Sequence, residues 1–163
     1  MPDDIVIRRE RPDHPQVVAQ PNSLDANLPC LASLYAPKDK HILGVQALLA
    51  PEANFLAAWR GDAVVGTAAA RRMPCEADTM GRACGEMKRK MVTHAQRGLS
   101  LVGRLLVALE QSLLDSGVQL ALPETGRDRT AAVRLHECCG YRRRGPFGGC
   151  PDNGLSPFFG KSL

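Results

Sequence analysis

The sequence is poor in aromatic residues, which make up only 4% of its 163 positions. Proteins that bind single-stranded nucleic acids stack bases on aromatic side chains, so this shortage disfavours such a surface. The formal net charge of +4 and the pI near 8.9 are also modest for a DNA-binding domain. We therefore expect no nucleic-acid partner, although arginines and lysines cluster at several places along the chain.

Two further absences concern metals and membranes. None of the six cysteines forms a CxxC pair, so we expect reduced, mostly buried thiols and no metal site. No run approaches the roughly 18 apolar residues of a membrane-spanning helix, and the N-terminal segment MPDDIVIRRE lacks an apolar signal region. These features predict a cytoplasmic protein without a membrane partner.

The length and composition favour one domain over residues 1–163. The hydrophobic fraction of 44% and the charged fraction of 23% are ordinary for a globular protein. A chain of this length buries roughly two thirds of its unfolded surface without needing disulfides. The sequence contains no internal repeat, low-complexity tract or interdomain linker.

The first half predicts a strand, short helices and a hairpin. β-branched residues at 5–7 predict the first strand, and apolar residues interrupted by prolines predict short helices between residues 15 and 49. Two strand signals at 54–60 and 63–70 flank Gly61 and Asp62, which suit a hairpin turn. Residues 74–83 are predicted to form a loop.

Strand and helix signals alternate in the second half. Apolar residues recur at helical spacing over 101–116, and Gly117 stands where a glycine ends many helices. A second helical stripe over 128–139 precedes Gly140 in the same way. Strand signals occupy residues 84–92, 118–122, 141–143 and 157–161. The order predicts an α+β fold with a mixed, mainly antiparallel central sheet, flanking helices and one βαβ crossover.

Strict alternation predicts how the side chains of the strand at 84–92 divide between its two faces. One face would carry Glu86, Lys88, Lys90 and Val92, and the other Met87, Arg89 and Met91.

The junction between this strand and the following helix is suited to an anion. The first turn of a helix presents backbone N–H groups without internal partners, and the helix dipole adds partial positive charge. Arg97 and Arg104 supply full charges nearby. An anionic cofactor is the first hypothesis, and an ordinary strand–turn–helix connection is the alternative.

These elements and motifs resemble the GNAT superfamily of acyl-CoA-dependent N-acetyltransferases nearly from end to end of the chain. The resemblance rests on the strand Glu86-Met87-Lys88-Arg89-Lys90-Met91-Val92, the Arg-Gly loop, the amphipathic helix and the pair Gly140-Tyr141. It implies acetyl-CoA as co-substrate, no metal, and transfer of the acetyl group to a primary amine of a small molecule or peptide.

The resemblance also implies where the cofactor binds. The family pattern Arg/Gln-x-x-Gly-x-Gly/Ala aligns with residues 97–102, where both patterned glycines are replaced, and another glycine follows at position 103. A Cβ at such positions obstructs the approach of backbone amides to phosphate. The main chain of Met91 and Val92 would pair with the pantetheine arm. The remaining implied cofactor-binding residues are Arg97, Gly98, Leu99, Ser100, Leu101, Val102, Gly103, Arg104 and Arg129.

Two residues carry the chemistry that the resemblance implies. Glu86 would take the proton of the acceptor amine, and the alternative is that it only pairs with Lys88 or with an arginine on a neighbouring strand. His136 stands where the family commonly has a tyrosine that protonates the departing thiolate, and histidine can donate a proton near neutral pH. The alternative for His136 is a packed or surface side chain.

Two hypotheses of function follow. The first is an active N-acetyltransferase. The second is a catalytically degenerate module of the same fold that binds acyl-CoA or a partner protein, because both patterned glycines and the helix tyrosine are replaced. Family members are often homodimers, and Phe158 and Phe159 could form such a contact or belong to a buried core strand.

Overall fold

The computed structural model of the protein describes residues 4–19, 45–73, 80–96, 100–123, 130–147 and 157–163. The strands are β1 (Ile5–Arg9), β2 (Ala53–Arg60), β3 (Ala63–Met73), β4 (Cys84–Val92), β5 (Leu120–Pro123), β6 (Arg142–Arg144) and β7 (Phe158–Ser162). The helices are α1 (Pro15–Val18), α2 (Val45–Leu48), α3 (Leu101–Asp115) and α4 (Thr130–Cys138), and a short 3-10 turn covers His94–Gln96.

The described strands form one seven-stranded sheet in the order β1-β2-β3-β4-β5-β7-β6. Neighbours are antiparallel except β4 and β5, which are parallel and are joined through α3. This confirms the predicted α+β fold, the mainly antiparallel sheet and the single βαβ crossover. The extension of the domain over the whole chain stays a prediction.

Glycines with left-handed backbone end the elements where the sequence places them. Gly61 in the turn between β2 and β3 has a φ of 56°, and Gly117 and Gly140 after the two long helices have φ of 76° and 85°. A side chain is strained in this conformation, which is why glycine fits there. The hairpin and both helix ends are confirmed.

Helices cover both faces of the sheet. On one face, leucines of α3 pack on β2, β3 and β4, and α4 joins the same core through partly buried residues. On the other face, Val17 of α1 and Leu48 of α2 pack against Phe55 and Trp59. Close packing requires a glycine at position 85, because a Cβ there would lie 2.6 Å from Cδ2 of the fully buried Leu113.

A bulge in β4 corrects the predicted division of its side chains. Ala69 pairs with Lys88 but Thr67 pairs with Met91, so two residues of β4 stand opposite one residue of β3. The extra residue reverses the alternation beyond Lys88. Val92 therefore shares the buried α3 face with Met87, instead of lying on the opposite face. Strict alternation was wrong here because it cannot anticipate an inserted residue.

Other predictions have mixed outcomes. The three described cysteines are free thiols, but only Cys84 is buried, whereas Cys138 is exposed and Cys139 is intermediate. The expectation of mostly buried thiols is therefore wrong for the described part of the chain. Phe158 and Phe159 lie in the core of this chain, as the second alternative for them holds.

Some predictions lie outside the described residues or concern absences. Most of the predicted helical region before residue 45 and of the loop at 74–83 is not described. Among the described residues, no group of three or more histidine, cysteine or acidic side chains is arranged to hold a metal ion. No described helix is both long and apolar enough to cross a membrane.

Candidate active site

The free edge of β4 is the main geometric feature of the site. Residues 84–87 pair with the whole of β5, which ends at Pro123. Pairing with β3 on the other side continues to Val92. Within the described chain, no strand pairs with the β5 side of residues 88–92. Backbone amides and carbonyls on that side are available to an extended ligand, because such a ligand can add to a sheet as a strand does.

The edge leads directly toward the N-terminus of α3. Ser100, the N-cap residue, has a φ of 59° and makes no side-chain capping hydrogen bond. The first turn of α3 contains no acidic residue. Neither the Ser100 side chain nor an acidic residue of the first turn satisfies its backbone N–H groups, which suits them to an anion.

The predicted phosphate-binding residues differ in where their side chains lie. Leu101 is buried in the core, and Val102 packs against that core while partly exposed. A Cβ on Gly103 would meet no atom within 4 Å, so the space beside it is open. Nη2 of Arg104 donates a hydrogen bond of 2.9 Å to the carbonyl of Ile5 in β1. The binding roles of these residues stay predictions, and Arg97, Gly98, Leu99 and Arg129 lie outside the described residues.

Glu86 is buried and ion-paired on the face of β4 that carries α1 and α2. Its carboxylate lies 2.8 Å from Nη2 of Arg71 on β3 and 3.3 Å from Nζ of Lys88. Only 4% of the residue is exposed. Both pairings that the sequence allowed as the alternative are therefore present. They hold the carboxylate in a fixed orientation, and its role as a base stays a prediction.

His136 is a packed residue. It is fully buried in α4, stacks on Phe159 at a centroid distance of 5.2 Å, and meets the ring of Tyr141 edge to face at 5.4 Å. Burial, reinforced by the positive charge of Lys90, lowers the pKa of His136 to about 4. The imidazole is therefore neutral near pH 7 and has no extra proton to donate. Its predicted role as general acid is not tested by this placement.

Lys90 lies beside this histidine. Its Nζ contacts Nε2 of His136, which places the ammonium between β4 and α4. Burial, followed by repulsion from Lys88, lowers the pKa of Lys90 to about 7. Sequence reasoning missed Lys90 because strict alternation placed it with Glu86 on the opposite face. The sequence held no signal that separates Lys90 from the neighbouring Lys88 and Arg89.

Tyr141, Glu110 and Lys161 form a hydrogen-bonded cluster next to His136. The Tyr141 hydroxyl donates to Glu110 at 2.8 Å, and Nζ of Lys161 lies 3.0 Å from both oxygens of the same carboxylate. Burial and the neighbouring carboxylate raise the pKa of Tyr141 well above its usual value. The phenol therefore stays protonated, and its ring is buried in the core.

Comparison with known proteins decides the family. The model of the acetyltransferase (GNAT) family matches residues 21–141. The chain belongs to this family. It is 35% identical over 160 residues to an IAA acetyltransferase of Azospirillum brasilense, a match that covers 98% of this chain and 99% of the relative. The chain is thus a GNAT acyl-CoA-dependent N-acetyltransferase by family.

Solved structures agree with the fold. A protein of Klebsiella pneumoniae described as an acyl-CoA N-acyltransferase has a TM-score of 0.73 and 27% identity, with 98% of this chain and 97% of that chain covered. A GNAT acetyltransferase of Elizabethkingia anophelis with acetyl-CoA bound has a TM-score of 0.63 and 15% identity, with 99% of both chains covered. The second likeness shows the fold alone.

Proposed function

We propose that the protein transfers the acetyl group of acetyl-CoA to a primary amine of a small molecule or peptide. The observation that carries this proposal is the edge of β4 at residues 88–92, which is free of β5 and runs toward the uncapped N-terminus of α3. An extended arm that ends in a diphosphate fits these two features together. The acetyl-CoA-bound relative supports the same co-substrate.

Different residues are assigned to the pantetheine arm and to the phosphates of acetyl-CoA. The main chain of Met91 and Val92 pairs with the amides of the pantetheine arm. The N–H groups at Leu101, Val102 and Gly103 meet the diphosphate, where the open space beside Gly103 leaves room for it. Arg97 and Arg129 supply the positive charge that balances the phosphates, and Gly98, Leu99 and Ser100 complete the set of residues assigned to the cofactor.

Glu86 prepares the acceptor in this proposal. A neutral amine attacks the thioester carbonyl, and the proton lost by the amine passes to Glu86, directly or through water. Its ion pairs with Arg71 and Lys88 orient the carboxylate toward the face of the sheet on which α1 and α2 lie. The acceptor therefore enters from that face.

The relatives indicate only candidate chemical classes for the acceptor substrate. The relative at 35% identity is named for IAA, which makes IAA one candidate to test beside amines. Small-molecule amines and peptide amines belong in the same test.

The second candidate function is a module that binds acyl-CoA or a partner protein without transfer. The observation that favours it is the strained Ser100 together with Arg104, whose guanidinium is engaged with Ile5. Both residues differ from an open, glycine-lined phosphate loop. This candidate predicts acetyl-CoA binding without product.

Isothermal titration with acetyl-CoA, followed by an assay of free thiol release with a panel of primary amines and IAA, separates the candidates. We expect micromolar binding and release of CoA that depends on one class of acceptor. Binding without acceptor-dependent release would support the binding module. The absence of heat at high micromolar acetyl-CoA would contradict the transferase and an acyl-CoA-binding module, and would leave only a module that binds a partner protein.

A further inference from the structure

Lys90 is a cation without an opposite charge. Among the described residues no carboxylate forms an ion pair with it, and its contact at Nζ is a neutral imidazole. By contrast, Glu86 on the same strand forms ion pairs with two cations, Arg71 and Lys88. Partial burial of an ammonium without a counter-charge costs free energy. The neutral ring of His136 offsets this cost less than a carboxylate would.

Lys90 lies next to the free edge of β4, where the proposed acyl donor would bind. The bulge places it on the α4 face, directly before Met91 and Val92 on the free edge of β4. The neutral ring of His136 reaches it from the other side. The amine thus stands between the free backbone edge and the helix that follows β5, where the gap between β4 and β5 begins.

We propose that Lys90 is the proton donor to the thiolate of CoA, and that His136 is a positioning residue that holds the amine through Nε2. This inference rests on the proposed acetyl transfer. It differs from the sequence prediction, which assigned the acid role to His136 itself.

The proposed step balances in protons and electrons. When the tetrahedral intermediate collapses, the C–S bond breaks and its electron pair goes to sulfur. A proton moves from Nζ of Lys90 to that sulfur, which gives the CoA thiol and a neutral amine. The proton that the acceptor lost returns to Lys90 through solvent. His136 accepts a hydrogen bond from Nζ both before and after the transfer, in the tautomer with its proton on Nδ1.

The surroundings match the acid to the leaving group. Proton transfer from a lysine with an ordinary pKa near 10.4 to a thiolate is unfavourable, because the thiol formed has a lower pKa of about 8.5. Burial and Lys88 lower the pKa of Lys90 to about 7, so the transfer is favourable. The groups that face the amine are Lys88 on its own strand, His136 of α4 and Cys139 directly after that helix.

The direct test is the pH dependence of kcat/KM for acetyl-CoA in the full chain, with the acceptor found in the panel. Because the pKa of Lys90 is lowered, its ammonium is present at low pH and is lost as the pH rises through about 7. We expect the rate to fall above that pH, although the acceptor amine becomes a better nucleophile. The K90M variant should lose about 100-fold and the falling limb.

The K90R variant separates proton donation from charge. Arginine keeps the positive charge and a hydrogen bond to His136 but does not release its proton. We expect K90R to be about as slow as K90M and to lack the falling limb. An exposed cation on β6, changed in R143M, serves as a control that leaves the rate and pH profile unchanged.

Each outcome decides one question. A wild-type protein that transfers no acetyl group overturns the proposed function and this inference with it. Transfer that persists at the wild-type rate in K90M or K90R overturns the donor role alone. If K90M does not fold, an NMR titration of the Lys90 side chain in the wild type decides, and a midpoint near 10 instead of near 7 would overturn the inference.

Discussion

The two halves of β4 have different roles although they form one strand. Residues 84–87 are paired on both sides, and there Gly85 allows α3 to pack closely and Met87 is fully buried. Among the described strands, residues 88–92 are paired only with β3, and a bulge after Lys88 changes the direction of the side chains that follow. The comparison shows that the end of β5 separates a fully paired half from a half with a free backbone edge, and that the bulge redirects side chains within the second half.

The charged groups of the two halves differ in the same way. Glu86, in the paired half, is neutralised by Arg71 and Lys88. Lys90, in the free half, contacts a neutral imidazole. The two cations hold the Glu86 carboxylate in its orientation, whereas a buried amine without a carboxylate partner gives up its proton more easily. The strand therefore holds a fixed base candidate and a labile acid candidate on opposite faces.

The largest effect is expected from Glu86→Gln. The amide cannot take the proton of the acceptor, so turnover should fall about 100-fold. Affinity for acetyl-CoA should stay within twofold, because Glu86 lies on the face away from α3. Steady-state kinetics and titration calorimetry measure the two quantities. The control Glu137→Gln changes an exposed carboxylate of α4 and should leave both unaltered; equal turnover in Glu86→Gln would exclude Glu86 as the base.

Gly85→Ala tests the paired half. The added Cβ would stand 2.6 Å from Leu113, so the helix or the strand must shift. Overpacking of this kind costs about 1–3 kcal/mol in the free energy of unfolding. Urea denaturation measures the loss. Gly145→Ala, where no atom lies within 4 Å of the new Cβ, should be nearly neutral. A neutral Gly85→Ala would show that the paired half is not closely packed.

Ser100→Gly tests the entry to the free half. Ser100 has a left-handed φ of 59°, which costs an L-residue roughly 1–2 kcal/mol. Glycine removes this strain but loses more chain entropy on folding, so a gain of about 0.5–1 kcal/mol is expected. Thermal unfolding should show it, together with tighter binding of acetyl-CoA. Ser100→Ala keeps the strain and should show neither; equal stability of both variants would contradict the strain.

Local patterns were sufficient to predict most of the fold. Gly61, Gly117 and Gly140 mark turns that depend only on backbone conformation, and the leucine stripe of α3 predicts both a helix and its buried face. The bulge was not predictable, because a period of two contains no information on where an extra residue is accommodated. It depends on pairing between strands that are distant in sequence.

The sequence predicted those parts of the site that depend on local motifs and missed those that depend on contacts between distant segments. The resemblance indicated Glu86 and the loop before α3, and the alternative pairing of Glu86 followed from the charges around it. Lys90 was missed because its face depends on the bulge, and the burial of His136 depends on Phe159 and Tyr141, which come from later elements. Ser100 stands at a patterned glycine position, and its positive φ shows why that pattern prefers glycine.

Hydrogen exchange along β4 tests the central claim most directly, namely that its free half binds the acyl donor. Saturation with acetyl-CoA should slow the exchange of those amides in residues 88–92 that do not bond to β3, and of the first-turn amides of α3. Amides in residues 84–87 should keep their rates, since β5 already pairs with them. Unchanged exchange at residues 88–92 under saturating acetyl-CoA would contradict the account.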